Sequence, residues 1–380
     1  MHSFPLAATA VALALLQPAS SSPCAPETSS TTSTTSSATA SSTALPYLNE
    51  LAQQQGKLWF GTAADIPDTA EASDPAYLQI LENGKIFGEM TPANVMKFQY
   101  TEPFQNSFNF TGGDYFLNVA EQSGKRVRCH NLIWVDELSP FITNSKWTAA
   151  TLTDVMENHI KKVVTHFSDR CYSWDVVNEA LQGNGSFSSS IWYDTIGPDY
   201  FHLAYKFATD AVRDTGKDIK LYYNDYGIET PGEKTTAAIN LIKQLQRLHV
   251  HIDGVGLESH FEVGATPSTA DQLAAMQSFI ALGLDVAQTE LDIRFTAEPY
   301  YSAAGQKQQA QDYYSSVAAC MQAGPGCIGT TVWDFDDKYS WVPSTFAGQG
   351  AADIFNDTLQ AKPAYYAIAD ALQSKPCSVC

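Results

Sequence analysis

The chain has 380 residues, 44% of them hydrophobic, with 41 acidic against 22 basic side chains and a formal net charge of −19 at pH 7. That length and apolar content supports a large core, whether in one α/β barrel of about 250 residues or more or in two or three domains. The strong negative charge argues against nucleic acid or an anionic membrane as partner and favours a neutral substrate.

The first stretch, residues 1–19, carries an apolar core from Leu6 to Leu16 followed by small residues at Ala19 and Ser20. It is too short to span a bilayer and reads as a secretory signal, although only His2 and the amino terminus supply positive charge. Residues 20–44 are almost wholly Ser, Thr, Ala and Pro. Such a composition cannot bury enough surface to fold, and its hydroxyl density suits an O-glycosylated, disordered arm. Residues 45–373 then read as one catalytic domain, with residues 374–380 as a Cys-containing tail. Sequons at Asn109, Asn184 and Asn356 suit passage through a secretory pathway. No later segment is long and apolar enough to cross a bilayer, so a secreted, extracellular protein is expected.

From Leu45 onward two periodicities alternate. Strand-like runs occur at Leu58–Thr62, Ile86–Thr91, Arg126–Trp134, Tyr172–Glu179, Ile219–Asn224, Gly254–His260, Asp285–Asp292 and Ile328–Phe335. Between them lie stretches of helical period, among them Leu152–Phe167, Tyr200–Thr215, Thr235–Leu248 and Thr269–Leu282. Gly124, Gly216, Gly283 and Gly324 punctuate helix exits. Eight strands with helices between them predict an α/β fold of the (β/α)8 TIM-barrel type. The competing doubly wound sheet would show a glycine-rich phosphate loop after its first strand, and none is present.

Seven cysteines in an oxidising compartment leave one over. Cys320 and Cys327 bracket a Gly-Pro-Gly turn and make a good short disulfide loop. Cys129 and Cys171 both sit at the start of strand-like runs and could bridge neighbouring strands. Cys377 and Cys380 form a terminal C-x-x-C suited to a local disulfide, and Cys24 is the candidate for the odd residue. His and Cys never group at ligand spacing, so no metal centre and no other cofactor is expected.

Two of the predicted strands end on glutamates: Trp174-Asp175-Val176-Val177-Asn178-Glu179 and Val286-Ala287-Gln288-Thr289-Glu290-Leu291-Asp292. A buried strand that delivers a carboxylate to its C-terminal tip is costly unless the group has work to do. A pair of them in one barrel supplies what glycoside hydrolysis needs. The blander reading makes both of them N-caps or loop carboxylates of an acidic protein. The other strand ends offer Glu89 and Asn94, His130 and Trp134, Asn224 and Asp225, Glu258 and His260, and Trp333 with Asp337. Amides, imidazoles and carboxylates bind hydroxyls, and indoles stack on pyranose faces, so the set suits a sugar. Any single His or Trp at a strand end has a plain packing role as its alternative.

The segments GEMTPANVMKF, RCHNLIW, WDVVNEA, LYYNDY, GVGLESH, TELDI and VWDFDDKYSW resemble glycoside hydrolase family 10. The resemblance runs from about Leu45 to Leu372 with the motifs in family order. It implies a (β/α)8 barrel and a retaining endo-1,4-β-xylanase. Glu179 would be the general acid/base and Glu290 the nucleophile. Asn178 and His260 would hold the 2-hydroxyl of the reacting sugar and the nucleophile's surroundings. His130 and Trp333 would shape the −1 subsite, and Asn94, Lys97, Trp134 and Trp341 would line the glycone side. Asp292 would sit behind His260 or the nucleophile. The partner would be a polysaccharide or oligosaccharide, with the protein acting as a monomer.

The chain also departs from the family's pattern. Glu137 stands in Trp134-Val135-Asp136-Glu137 where most members read W-H-S-Q, and Glu258 stands where G-x-Q-x-H is usual. Trp333-Asp334 replaces the usual W-G, and Met96-Lys97-Phe98 the usual M-K-W. These changes are expected to place extra carboxylates around the sugar subsites. Two alternatives accompany the xylanase reading. One is a tomatinase-like glycosidase releasing an oligosaccharide from a steroidal glycoalkaloid, whose cationic aglycone extra acidity would suit. The other is a non-catalytic carbohydrate-binding barrel, which loss of either glutamate would have marked.

Overall fold

Nine parallel strands carry the site: β1 Trp59–Ala64, β2 Glu89–Pro92, β3 Arg126–Cys129, β4 Ser173–Asn178, β5 Lys220–Asp225, β6 Gly254–Leu257, β7 His260–Glu262, β8 Asp285–Arg294 and β9 Cys327–Val332. They belong to a computed structural model that describes residues 45–380. The signal, the Ser/Thr-rich arm and Cys24 lie outside the described residues. The strand order is β6-β5-β4-β3-β2-β1-β9-β8-β7, and β6 also pairs with β8, so eight strands close into a barrel. The short β7 pairs only with the C-terminal end of β8, matching His260 to Asp292.

The strands are apolar and β-branched because they are covered on both faces. Six residues in a row are buried in β1, β4 and β9. The predicted helices appear at Ala149–Phe167, Asp199–Thr215, Glu233–Arg247 and Thr269–Ile280. In the first, Thr148 and Thr151 cap each other reciprocally, and Leu152, Met156, Ile160 and Val163 turn inward at helical spacing. Gly216 ends the second in the left-handed conformation at φ 67°.

Three predicted strands stop well short of the C-terminal ends that the apolar runs suggested. The third ends at Cys129, before the cis His130–Asn131 peptide, and the last ends at Val332, before the cis Trp333–Asp334 peptide. The Gly254–His260 run divides at Ser259, whose φ is 68°. All three predicted disulfides are formed: Cys129–Cys171, Cys320–Cys327 and Cys377–Cys380. The first ties the end of β3 to the residue shortly before β4. Among the described residues no helix is long and apolar enough to cross a membrane.

Candidate active site

Glu179 follows the last residue of β4, and Glu290 lies within β8 toward its C-terminal end. Register shifts interrupt β4 between Asp175 and Val177 and β8 between Gln288 and Leu291. Such bulges re-aim side chains next to functional sites. Glu179 has φ 53°, a left-handed conformation that costs a non-glycine residue about 1 kcal/mol. Strain of that kind is held in place where a side chain must point in one direction.

Asn224, on β5, is the hub of the cluster. Its amide nitrogen donates to Asn178 Oδ1 and Glu290 Oε1, each at 2.8 Å, and lies 3.1 Å from Glu258 Oε1. The Asn178 amide in turn donates to Glu179 Oε1 at 3.3 Å. Thr289 donates its hydroxyl to Asn224 Oδ1 at 2.6 Å and fixes the amide's orientation. Gly256 of β6 makes room for this hub, since a Cβ there would strike Asn224 Oδ1 and Thr289 Cγ2.

The two glutamates have opposite proton affinities. Burial, with Asp225 and Glu290 nearby, pushes the Glu179 carboxyl up to about 7. Burial works against ionisation of Glu290 as well. There the hydrogen bond from His260 and the proximity of His130 and Arg128 outweigh it and hold the group at about 2. The Arg128 guanidinium lies 3.9 Å from Glu290 Oε1. Burial alone would lower the pKa of His260, but Asp292 and Glu290 flank the ring and raise it to about 10. His260 is therefore an imidazolium, with Nδ1 2.9 Å from Asp292 and Nε2 3.3 Å from Glu290. The Trp341 indole donates to the same Asp292 oxygen at 2.7 Å, and its ring packs 5.0 Å from His260. Asp292 thus sits behind His260.

On the opposite rim Lys97 donates to Asn94 Oδ1 at 2.9 Å and lies 4.9 Å over the Trp134 ring. Asn94 donates to Asp65 Oδ2 at 3.0 Å. Glu137 is half-buried, accepts from Gln99, and acts electrostatically on Lys97. His130 presents Nδ1 to Asp175 at 2.8 Å and stands edge-on to Trp333. These contacts link the sequence-predicted site residues apart from two strand-end candidates: Asp337, and Glu89, which opens β2 rather than ending it and accepts from Thr91 and Thr331 inside the barrel.

Two of the departures fall elsewhere. Asp334 turns away from the cleft: it accepts from Tyr77 at 2.7 Å and from Thr62 at 3.3 Å. It adds no free carboxylate to the sugar site, contrary to expectation, because Tyr77 and Thr62 draw it toward β1. Phe98 stacks on His159 in the core. Asp337, read at a strand end, pairs with Lys362 instead.

Sequence reasoning missed Arg128 and Asp175. Both are buried inside the barrel and paired with each other, and Arg128 also donates to the Thr289 carbonyl at 2.9 Å. Arg128 between Val127 and Cys129 in a strand-like run was the available signal, since a charge is buried only when paired. Asn224 was seen at a strand end but not as the hub.

Among the described residues, one group brings three ligand-type atoms within 4.8 Å of one another: Glu258, His260 and Glu290. All three are engaged in the hydrogen-bonded cluster around Glu290.

A barrel mouth with one carboxyl poised to give a proton and another held ionised, ringed by indoles and amides, defines a glycoside hydrolase. Comparison with known proteins agrees. The family model "Glycosyl hydrolase family 10" matches residues 47–371, and the chain belongs to that family. It is 49% identical to endo-1,4-beta-xylanase D of Talaromyces funiculosus, over 86% of this chain and 78% of that one. It is 44% identical to endo-1,4-beta-xylanase A of Phanerodontia chrysosporium over the same shares. Among solved structures, the Penicillium canescens endo-1,4-beta-xylanase XylE is 65% identical with a TM-score of 0.86, covering 88% of this chain and 99% of that one. A family 10 xylanase from Bispora sp. MEY-1, solved with xylobiose, is 53% identical with a TM-score of 0.83, covering 85% and 99%.

Proposed function

We propose that this protein is a secreted, monomeric, retaining endo-1,4-β-xylanase that cuts internal bonds of xylan by double displacement. The observation that carries the reading is the opposed protonation of Glu179, pushed up to about 7, and Glu290, held at about 2, within one hydrogen-bonded cluster. The xylanase names of the relatives and the xylobiose bound in one of the neighbours support xylan as substrate. The signal-like segment at residues 1–19 supports export.

In the first step Glu290 attacks the anomeric carbon while Glu179 gives its proton to the departing oxygen. Charge then leaves Glu290 as it becomes an ester. Because that charge helps to raise the pKa of Glu179, the pKa falls, and Glu179 takes a proton from the incoming water. His260, fixed by Asp292, keeps the nucleophile ionised between turnovers. Asn178 sits beside Glu179 within reach of a sugar 2-hydroxyl. Trp134, Trp333 and Trp341 supply the flat apolar faces on which pyranose rings stack.

The test is product analysis on xylan, a short cello-oligosaccharide and a steroidal glycoalkaloid side by side. Cleavage of xylan to short oligomers is expected. Release of an intact oligosaccharide from the glycoalkaloid with xylan left whole would overturn the substrate assignment.

A further inference from the structure

Glu258 is a carboxyl at the reacting centre that the double displacement leaves without a role. It follows β6, is 2% exposed, and stands where the family pattern has an amide. Its donors are too few for a carboxylate. The Asn224 amide has two hydrogens, and its shorter contacts, both 2.8 Å, go to Asn178 and Glu290; Glu258 Oε1 lies third at 3.1 Å. His260 Nε2 has one hydrogen and is 3.3 Å from Glu290 but 3.8 Å from Glu258. A carboxyl oxygen of Glu258 lies within 4.8 Å of one of Glu290, and the Glu290 N–H donates to the Glu258 carbonyl at 3.0 Å.

The charged groups around Glu258 are mostly acidic. Glu290 faces it from β8, Glu179 from the end of β4, and Asp225 and Glu229 from β5 and the loop beyond. Lys234 is bound to Asp225 at 2.7 Å, Arg128 to Asp175, and His260 lies between Asp292 and Glu290. Among the described residues the cation nearest Glu258 is the His260 ring at 3.8 Å, and its Nε2 lies closer to Glu290, at 3.3 Å. Burial and these neighbours push its carboxyl well above the usual range. Two carboxyls crowded at one site do not both ionise, and one of them keeps a proton.

We propose that Glu258 works as a neutral carboxylic acid, a positioning residue whose O–H donates a hydrogen bond toward Glu290 where a glutamine would offer N–H. This rests on the retaining reading for the role of Glu290. The acid proton turns an otherwise repelling neighbour into a donor. With Asn224 and His260 it orients the nucleophile's carboxylate and leaves a lone pair free for attack. The site therefore contains three carboxyls but one negative charge, carried by Glu290.

Infrared difference spectra of Glu179→Gln against Glu179→Gln/Glu258→Gln test the proton directly, because the second substitution removes a single carboxyl. A protonated-carboxyl band should be present between pH 5 and pH 7 and be missing from the double variant; its absence from the difference would overturn the proposal. Kinetics on an aryl β-xyloside then read the donor. Glu258→Ala should have a kcat about tenfold below that of Glu258→Gln, since the amide replaces the donated hydrogen bond and the methyl does not. Equal kcat values would overturn the positioning role. The alkaline limb of kcat/KM should hold its place in Glu258→Gln. A limb displaced by a unit or so to lower pH would mean that an ionised Glu258 had been helping to keep the Glu179 proton. The infrared measurement needs no substrate. Failure of the unaltered protein to cut xylan would overturn the xylanase reading and leave the protonation of Glu258 standing.

Discussion

Asp292 holds His260 by Nδ1 at 2.9 Å, and the other nitrogen of that ring lies 3.3 Å from Oε2 of Glu290. A buried carboxylate thus governs the ionisation of a second one through the imidazolium between them. Asp292→Asn removes the charge that raises the His260 pKa to about 10, so the ring should titrate at lower pH. With less positive charge at the ring, the Glu290 pKa should rise from about 2. Ionised Glu290 is required for attack, so the acid limb of kcat/KM should move to higher pH, by about one unit or more. A pH–rate profile checks this, and an unmoved acid limb would show that Asp292 does not act through His260.

The roles of Glu179 and Glu290 separate by kinetics. Glu290→Ala should abolish turnover of every substrate, because no covalent intermediate can form. Glu179→Ala should be least harmful on aryl glycosides with good leaving groups, which need little protonation to depart. Added azide should then speed deglycosylation and give a β-azide, since two displacements restore the starting configuration. An α-azide from that variant would reverse the assignment.

Retention also predicts a distance. The carboxyl groups of Glu179 and Glu290 should stand roughly 5–5.5 Å apart in a crystal structure, against roughly 6.5–9.5 Å for inversion. Proton NMR of the first products should show the β-anomer before mutarotation; an initial α-anomer would refute double displacement.

Gly256 should be intolerant of even one methyl group. Gly256→Ala would push aside Asn224, which donates to both Asn178 and Glu290. A misplaced nucleophile predicts kcat lowered about ten- to hundredfold. Binding of xylo-oligosaccharides, followed by calorimetry, should change far less, and a large loss of affinity with kcat intact would count against the hub role.

Stability should fall as pH rises through neutrality. Burial raises Glu71 and Asp336 to about 7, and burial with Glu71 and Asp336 nearby pushes Asp334 well above its ordinary range. The folded state therefore binds more protons than the unfolded chain above about pH 4. The stability these groups contribute is complete below the ordinary carboxyl range and is lost as pH climbs through 7. Calorimetry should find a higher melting temperature at pH 5 than at pH 8. Asp334→Asn should flatten that slope; an unchanged slope would place its origin elsewhere.

Much of the fold was legible in the chain itself. Apolar runs ending on polar residues, spaced by helical periods, specify parallel strands buried on both faces, because nothing else covers both sides of such a strand. Glu179 and Glu290 stood out for the same reason, as carboxyls at the ends of segments too apolar to be solvated. The strand ends at Cys129, Leu257 and Val332 were not legible. The strand-like runs continue past all three, to Trp134, His260 and Phe335, and only the pairing with neighbouring strands shows where each ladder stops.

The sequence by itself determined the barrel, the two glutamates and the residue types at the mouth, because periodicity and burial are local properties of the chain. Only the tertiary structure decided how protons distribute among them. Glu258 and Glu290 are both strand-end glutamates in sequence, yet Glu290 takes the shorter contacts of Asn224 and His260 and has Arg128 at 3.9 Å, while Glu258 takes the longer ones. Likewise Asp334 reads as a cleft carboxylate until Tyr77, 257 positions away, draws it aside. Ionisation depends on which donors arrive from other strands, and that is set by packing rather than by neighbours along the chain.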